Sequence, residues 1–431
     1  MVADQAGPPP DPPAIVTAPP ASVQLDLAAR ALAAGHREQA AALLAALEAG
    51  RQVATAHEAS QLDFLQGLIA MDRHDYHEAV RRFRRLLVRE PQSVRARLEI
   101  GRAYFLDGDY GNAERQFIFA KAGKLPPAVR QNVDRFLAAI RARKRFAVSI
   151  AVTFASDSNR NAGPTADSVT LYGLPFQLSS SARANGGIGL AVDAAMEWSP
   201  PLSARLKWRV IGQLHRAQYR DTGLDDMTLG LGTGPHYTLL HWGFDINATV
   251  SRRWYADRVF SDSHGLTLDV TRVLNARLGL EGTFGLARIS YAPLPAMNGT
   301  ATSAAANILY TPSADSVVRV GLALTRQTAA STPFAFRARQ LSAAYVRELV
   351  GGLTISMAAT HSQIVYDAPL AAFGVVRIDH QPSAQITLLD RRIAWHGLTP
   401  RVSYAYAIND SSIPLYRFHR GRFELSLTRT F

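Results

Sequence analysis

The sequence predicts a multidomain α + β protein, with an N-terminal tetratricopeptide-like α-solenoid followed by a transmembrane antiparallel β-barrel of about fourteen strands. Three observations predict it. Apolar residues recur with a period near 3.6 up to about residue 144, then with a period near 2 from Arg145 to the end. Two helical segments match each other about 34 residues apart. The strand-like half alternates apolar residues with a polar face that carries charges, which the dry core of a sandwich would have to pair at a cost.

Residues 1–21 are rich in proline and read as a disordered lead, without a basic n-region followed by an apolar h-region. They are expected to be either the start of a mature chain after signal-peptide removal or a truncated gene start. Residues 22–144 read as repeat helices of a periplasmic domain. In "QGLIAMDRHDYHEAVRRFRRLLVREP" and "IGRAYFLDGDYGNAERQFIFAKAGKLP", Gly67 matches Gly101, Asp75-Tyr76 matches Asp109-Tyr110, Ala79 matches Ala113 and Phe83 matches Phe117. Small Gly and Ala let paired helices approach, and the aromatic rings fill the space to the next unit. A weaker unit with Gly35 and Ala40 precedes them, and "PAVRQNVDRFLAAIRAR" is expected to cap the stack. Such repeats form a concave surface for peptides or extended chains. The side chains expected to line this client-binding groove are Gln61, Phe64, Leu68, Asp72, Arg95, Leu98, Arg102 and Phe105.

From residue 145 to 431 the pattern is that of an outer-membrane barrel. "FAVSIAVTFA" places Phe146, Val148, Ile150, Val152 and Phe154 on one face, and "WGFDINATV" sets Phe244, Ile246, Ala248 and Val250 against Asp245, Asn247 and Thr249. Short connections alternate with longer ones near 156–184, 218–223, 255–262, 291–300, 366–377 and 409–417. Trp198, Tyr219, Trp242, Trp254, Tyr255, Tyr291, Tyr310 and Tyr366 lie near strand ends, as membrane girdles require. The inner face is expected to carry Arg205, Lys207, Arg209, Asp245, Asp269, Arg277, Glu281, Arg401 and Glu424, hydrated in a lumen or paired as a gate. The closing "FELSLTRTF" must pair with the first strand, because an open edge in hydrocarbon strands backbone groups. Its Phe423, Leu425, Leu427 and Phe431 resemble the signal read by barrel-assembly machinery, although Arg429 stands where an apolar residue is usual.

Other chemistries find no support. The chain has no cysteine, so disulfides and thiolate metal sites are unavailable. No stretch is long and apolar enough for a membrane helix. The net charge of +12 is spread along the whole chain, so nucleic acid is not expected as a partner. Histidines are scattered with no His-Glu-x-x-His pattern, and no catalytic triad stands out, so neither an enzyme nor a cofactor is expected. "LGLGTG" at 229–234 is not followed by the Lys-Ser/Thr helix of a phosphate loop and reads as strand glycines. Asp157 and Asn159 suit an Asx-type turn after the first strand.

Several segments carry a family resemblance: "FAVSIAVTFASDSNRNAGP" with its Ser156-Asp157-Ser158-Asn159 run, "SVTLYGLPFQLSSSARANGGIGL" with Gly173-Leu174-Pro175-Phe176, and the closing strand. In these the chain resembles the surface lipoprotein assembly modulator (Slam-type) family over nearly its whole length from residue 22. The resemblance implies a periplasmic repeat domain joined to a fourteen-strand outer-membrane barrel. It also implies delivery of client proteins, surface lipoproteins or soluble haem- or metal-acquisition proteins, to the cell surface without nucleotide hydrolysis. The expected partners are the client, outer-membrane lipid and the barrel-assembly machinery, with the chain itself a monomer. A passive porin with a periplasmic protein-binding domain is the competing expectation.

Overall fold

A computed structural model describes residues 19–430 except 51, 52, 54, 144, 221, 351, 391, 392 and 394–398, with only the backbone described at 141, 142, 222, 429 and 430. Nearly all of the proline-rich lead, most of the stretch 389–399 ("LDRRIAWHGLT") and Phe431 lie outside the described residues.

Among the described residues seven α-helices come first: α1 (Ala21–Ala33), α2 (Arg37–Ala49), α3 (Ala56–Asp72), α4 (Tyr76–Arg89), α5 (Val94–Asp107), α6 (Tyr110–Ala122) and α7 (Pro127–Arg143). The repeated residues do the same work twice. Asp75 accepts a hydrogen bond from the Glu78 amide and Asp109 one from the Asn112 amide, both at 3.0 Å, so each caps the helix it opens. A Cβ at Gly67 would lie 2.5 Å from the Phe83 ring, and one at Gly101 3.0 Å from the Phe117 ring. Both phenylalanines and both alanines, Ala79 and Ala113, are buried. Thr55 and Glu58 add a capping box to α3. The chain divides into two compact units at Leu86/Leu87, within α4, so that α5–α7 belong to the same unit as the strands.

The first of these strands is β1 (Phe146–Asp157), followed by a small hairpin of β2 (Ser168–Leu171) and β3 (Leu174–Gln177). Then come β4 (Gly187–Trp198), β5 (Leu206–Tyr219), β6 (Asp226–Leu239), β7 (Trp242–Tyr255), β8 (Arg258–Val273), β9 (Leu278–Tyr291), β10 (Gly299–Ser313) and β11 (Ser316–Gln327). The chain continues through β12 (Phe336–Glu348), β13 (Leu353–Leu370), β14 (Val375–Asp390), β15 (Thr399–Ser411) and β16 (Phe418–Thr430). Without the hairpin, the strands form a closed antiparallel barrel in which β1 pairs with both β4 and β16.

Alternation sorts the side chains. Ile150, Val152 and Phe154 on β1, Ile246 and Val250 on β7 and Phe423, Leu425 and Leu427 on β16 are exposed on the outer wall. No water-seeking environment explains such a band, whereas lipid does. Within "LGLGTG", Gly230, Gly232 and Gly234 take the inner face of β6 while Leu229 and Leu231 face out, so the stretch is a strand.

Two expectations need correction. The longer connection expected at 255–262 is a two-residue turn: Ala256 and Asp257 sit at φ 50° and 56°, as a tight turn matching the strand twist requires. Half of the expected girdle faces inward. Trp198, Trp242, Trp254 and Tyr310 share the parity of lipid-facing neighbours, but Tyr219, Tyr255, Tyr291 and Tyr366 fall on the inner face. Position near a strand end does not fix the face; parity does.

Candidate functional site

The lumen offers the first group of candidates. Arg209 on β5 donates to Glu197 on β4 at 2.9 and 3.1 Å and to Asp245 on β7 at 2.5 Å. Asp245 also meets His236 Nδ1 at 2.8 Å, and His236 Nε2 lies 3.0 Å from Thr238 Oγ1. Further round, Asp269 accepts from the Thr283 hydroxyl at 2.8 Å, and Glu281 pairs with Arg319. Glu424 accepts from Ser403 at 3.0 Å and pairs with Arg422 at 2.8 Å. Lys207 and Arg401 share this inner face, half-buried. Arg205 does not; it lies exposed in the turn after β4, because β5 starts only at Leu206. Arg277 lies in the turn before β9. Alternation announces charges on this face but gives no reason to single out His236, Arg319 and Arg422. Strand register reveals them as partners, and register is invisible before pairing is known. Among the described residues no group of three or more His, Asp or Glu could hold a metal ion.

The second group closes the barrel. β1 pairs with β16 over nine positions, Ser149 to Asp157, against twelve on its β4 side. Within this seam Thr153 Oγ1 lies 2.9 Å from Ser426 Oγ. At its top the buried Asp157 carboxylate receives Arg420 Nη2 at 2.6 Å and Nε at 2.9 Å. Asp157 also accepts from the Asn159 amide at 2.9 Å, the Asx-type turn expected from sequence. Asn159 in turn donates to the carbonyls of Gly163 and His419, and the Ser158 hydroxyl accepts from the Gly421 amide. The Ser156–Asn159 run is therefore a latch across the first and last strands. Beyond it the β2–β3 loop is tied to other loops at this far rim, with the Thr165 amide donating to Arg417 O and the Tyr172 amide to Ala372 O.

The near rim, with the shorter turns, carries the last helices. Arg97 on α5 is fully buried and donates to Glu348 Oε2 on β12 at 2.5 Å and to Pro91 O at 2.7 Å. Arg277 Nε donates to Ala122 O at the end of α6 at 3.2 Å. Helix α6 touches β10, seven places from β1 in either direction around the ring of fourteen. Helix α7 leaves α6 there and ends three residues before β1. Fourteen strands about 4.8 Å apart and tilted about 40° make a barrel roughly 28 Å across. The 17 residues of α7 span about 25 Å. The helix therefore runs like a bar across the near mouth.

On the helices themselves the expected groove residues take several roles. Phe64 is buried with its ring 5.6 Å from Phe83, and Asp72 pairs with Arg37 at 2.9 Å. Gln61 donates to Asp26 at 3.5 Å and Leu68 is half-buried. On α5, Arg95 and Arg102 are exposed, Leu98 is half-buried and Phe105 packs edge-on against Phe136 of α7. Nearby, burial raises the Glu99 carboxyl above its ordinary value, opposed by Arg102 and Arg95. Around Arg82, the Arg82 hydrogen bond lowers Glu48; for Glu78, burial is outweighed by hydrogen bonds from Arg82 and Arg81, and its value is lowered too.

Known proteins match both halves of this arrangement. A family model described as "Surface lipoprotein assembly modifier" matches residues 146–431. A second, described as "Surface lipoprotein assembly modifier, N-terminal TPR repeats", matches residues 20–117. The surface lipoprotein assembly modifier of Moraxella catarrhalis is 23% identical over 379 residues, covering 86% of this chain and 73% of the relative. That of Pasteurella multocida (strain Pm70) is 22% identical over 393 residues, covering 86% and 76%. Surface lipoprotein assembly modifier 1 of Haemophilus influenzae (strain Rd) is 19% identical over 378 residues, covering 86% and 77%.

Proposed function

The chain belongs to the surface lipoprotein assembly modifier family, and on that premise we propose that it delivers lipoprotein clients to the surface of a Gram-negative cell. The barrel fold and the family indicate the outer membrane. The observation that carries the reading is a closed barrel with a polar, ion-paired lumen, joined in one chain to helices of the family's repeat type.

In this reading the helices lie in the periplasm and gather an unfolded or partly folded client. The barrel then provides a polar passage through its lumen or a lateral way out between β1 and β16. The nine-position seam, with a hydroxyl pair at its middle and a latch at one end, suits such an opening. A client that folds on arrival supplies the pull, so no nucleotide is consumed. Soluble haem- or metal-acquisition proteins are further candidate clients. The barrel-assembly machinery would insert the chain by its closing strand, and the chain would act as a monomer in outer-membrane lipid. The test is co-expression with a lipoprotein encoded beside the gene in a heterologous Gram-negative host, followed by protease shaving of whole cells. The expected outcome is cleavage only when the chain is present, and equal protection with and without it overturns the proposal. A passive porin is the second reading, favoured by the charge-paired lumen; steady single-channel conductance with unchanged surface proteins on deletion would select it.

A further inference from the structure

The inward-facing aromatics have no part in a lipid girdle, and they are not scattered. Tyr219 on β5, Tyr255 on β7, Phe260 on β8, Tyr291 on β9, Phe336 on β12 and Tyr366 on β13 lie at the far-rim ends of their strands. Phe260 sits between Tyr255 and Tyr291, with ring centroids at 6.2 and 5.8 Å. Phe336 lies 5.5 Å from Tyr366. Three guanidinium groups cover rings of this set: Arg160 over Tyr219 at 5.6 Å, Arg253 over Phe260 at 5.0 Å, and Arg377 over Tyr366 at 4.8 Å.

Two of these arginines are neutralised by carboxylates. Arg253 donates to Asp226 at 2.5 and 3.0 Å, and Arg377 donates to Asp379 at 2.6 to 3.0 Å. Each thus spends its edge on a carboxylate and leaves its flat face for an aromatic ring, a geometry lysine lacks. The result is an aromatic belt in which Arg253 and Arg377 are each matched by an aspartate, above a lumen whose middle is lined with ion pairs.

We propose that this belt is a binding station for an extended polypeptide, gripping its aromatic and aliphatic side chains whatever the charge of the residues between them. The identity of the occupant rests on the translocator reading; the chemistry of the site does not. A belt of this kind suits a passage that handles unfolded sequence. Ring faces accept any apolar side chain, and the matched Arg–Asp pairs neither trap nor repel a client by its charge. Groups that captured clients by unpaired charge would instead hold some sequences too tightly to release.

The test uses the full chain in detergent micelles and fluorescein-labelled, unstructured Gly/Ser peptides followed by anisotropy. A peptide with four phenylalanines is expected to bind at least about tenfold tighter than its alanine counterpart. Versions with Asp or Lys between the phenylalanines should agree within about threefold at physiological salt. The double variant Tyr255→Ser/Tyr291→Ser should lose the phenylalanine preference, whereas Tyr255→Phe/Tyr291→Phe, which keeps the rings, should retain it. Equal binding of the phenylalanine and alanine peptides overturns the proposal, as does a preference that follows charge or one that survives the serine variant. If the peptides behave as expected but surface delivery of a lipoprotein is the same with and without the chain, the translocator reading fails and the station stands. If delivery succeeds in parent and serine variant alike and no phenylalanine preference is measured, the station alone falls.

Discussion

At the near rim, α5 and α6 are fastened to the barrel, among the described residues, by the buried Arg97–Glu348 pair and by the Arg277 hydrogen bond to Ala122 O. At the far rim, Asp157–Arg420, Asp226–Arg253 and Asp379–Arg377 are spread around the ring, and backbone ties such as Ser331 N to Ala296 O and Ser412 N to Ile378 O add to them. One end depends on a concentrated contact and the other spreads its hold over many. A buried pair is costly to break from one side, because the partner is left charged and unsolvated. A distributed set keeps its other ties when one member goes, and loses much only where that member leaves a buried charge behind. The two rims should therefore respond very differently to single substitutions.

The largest effect is expected from Glu348→Ala, which strands the fully buried Arg97 guanidinium and should cost about 3–5 kcal/mol of helix docking. Hydrogen exchange should show α5 and α6 losing protection while the strands keep theirs; unchanged protection would refute the concentrated-contact account. Next, Arg420→Met leaves the buried Asp157 carboxylate without its ion-pair partner and should cost about 2–3 kcal/mol at the seam. It should lower the temperature at which the folded band shifts on unheated gels. The reverse change is available because the chain has no cysteine of its own. Thr153→Cys with Ser426→Cys should form a disulfide across the seam and raise that temperature. The same lock should block delivery until reductant is added if clients leave laterally, and leave it intact if they pass through the lumen. Arg253→Gln at the far rim should cost about 1 kcal/mol or less, since neighbouring ties remain; a loss comparable to that of Glu348→Ala would erase the contrast.

The smallest effects belong to the helices, where pH supplies a control of opposite signs. Glu48 and Glu78 are lowered in the folded chain, so the stability they contribute is present above the ordinary glutamate value and lost as pH falls through the lowered one. Arg82→Gln should flatten that acid limb in a melt series. Glu99 is raised, so its contribution is present below the ordinary value and lost as pH rises through the raised one. Glu99→Gln should therefore stabilise the helices at neutral pH by up to about 1 kcal/mol, and should do nothing in acid.

Much of this architecture is legible before any pairing is known, because period and spacing are local. Gly67 with Phe83 and Gly101 with Phe117 disclose the repeat, and Ile246 against Asp245 discloses the strand. The illegible part depends on partners far away in sequence. Asp157 gives away its turn through Asn159, two residues on, but gives no sign of Arg420. The tyrosines look like a girdle because their nearness to strand ends is legible, while their face depends on where each strand begins. Nothing local distinguishes Arg97 from Arg95 or Arg102; only the docked barrel shows it to be the buried one.

The bar across the near mouth ties together two dimensions of the molecule that would otherwise be free to vary separately. Adding one strand hairpin would widen the cylinder by about 4 Å, so the crossing helix would need roughly three more residues to reach the opposite wall. Gains in girth without matching gains in helix length would pull the final repeat off its footing. Barrel circumference and helix length should thus have been inherited as a matched set.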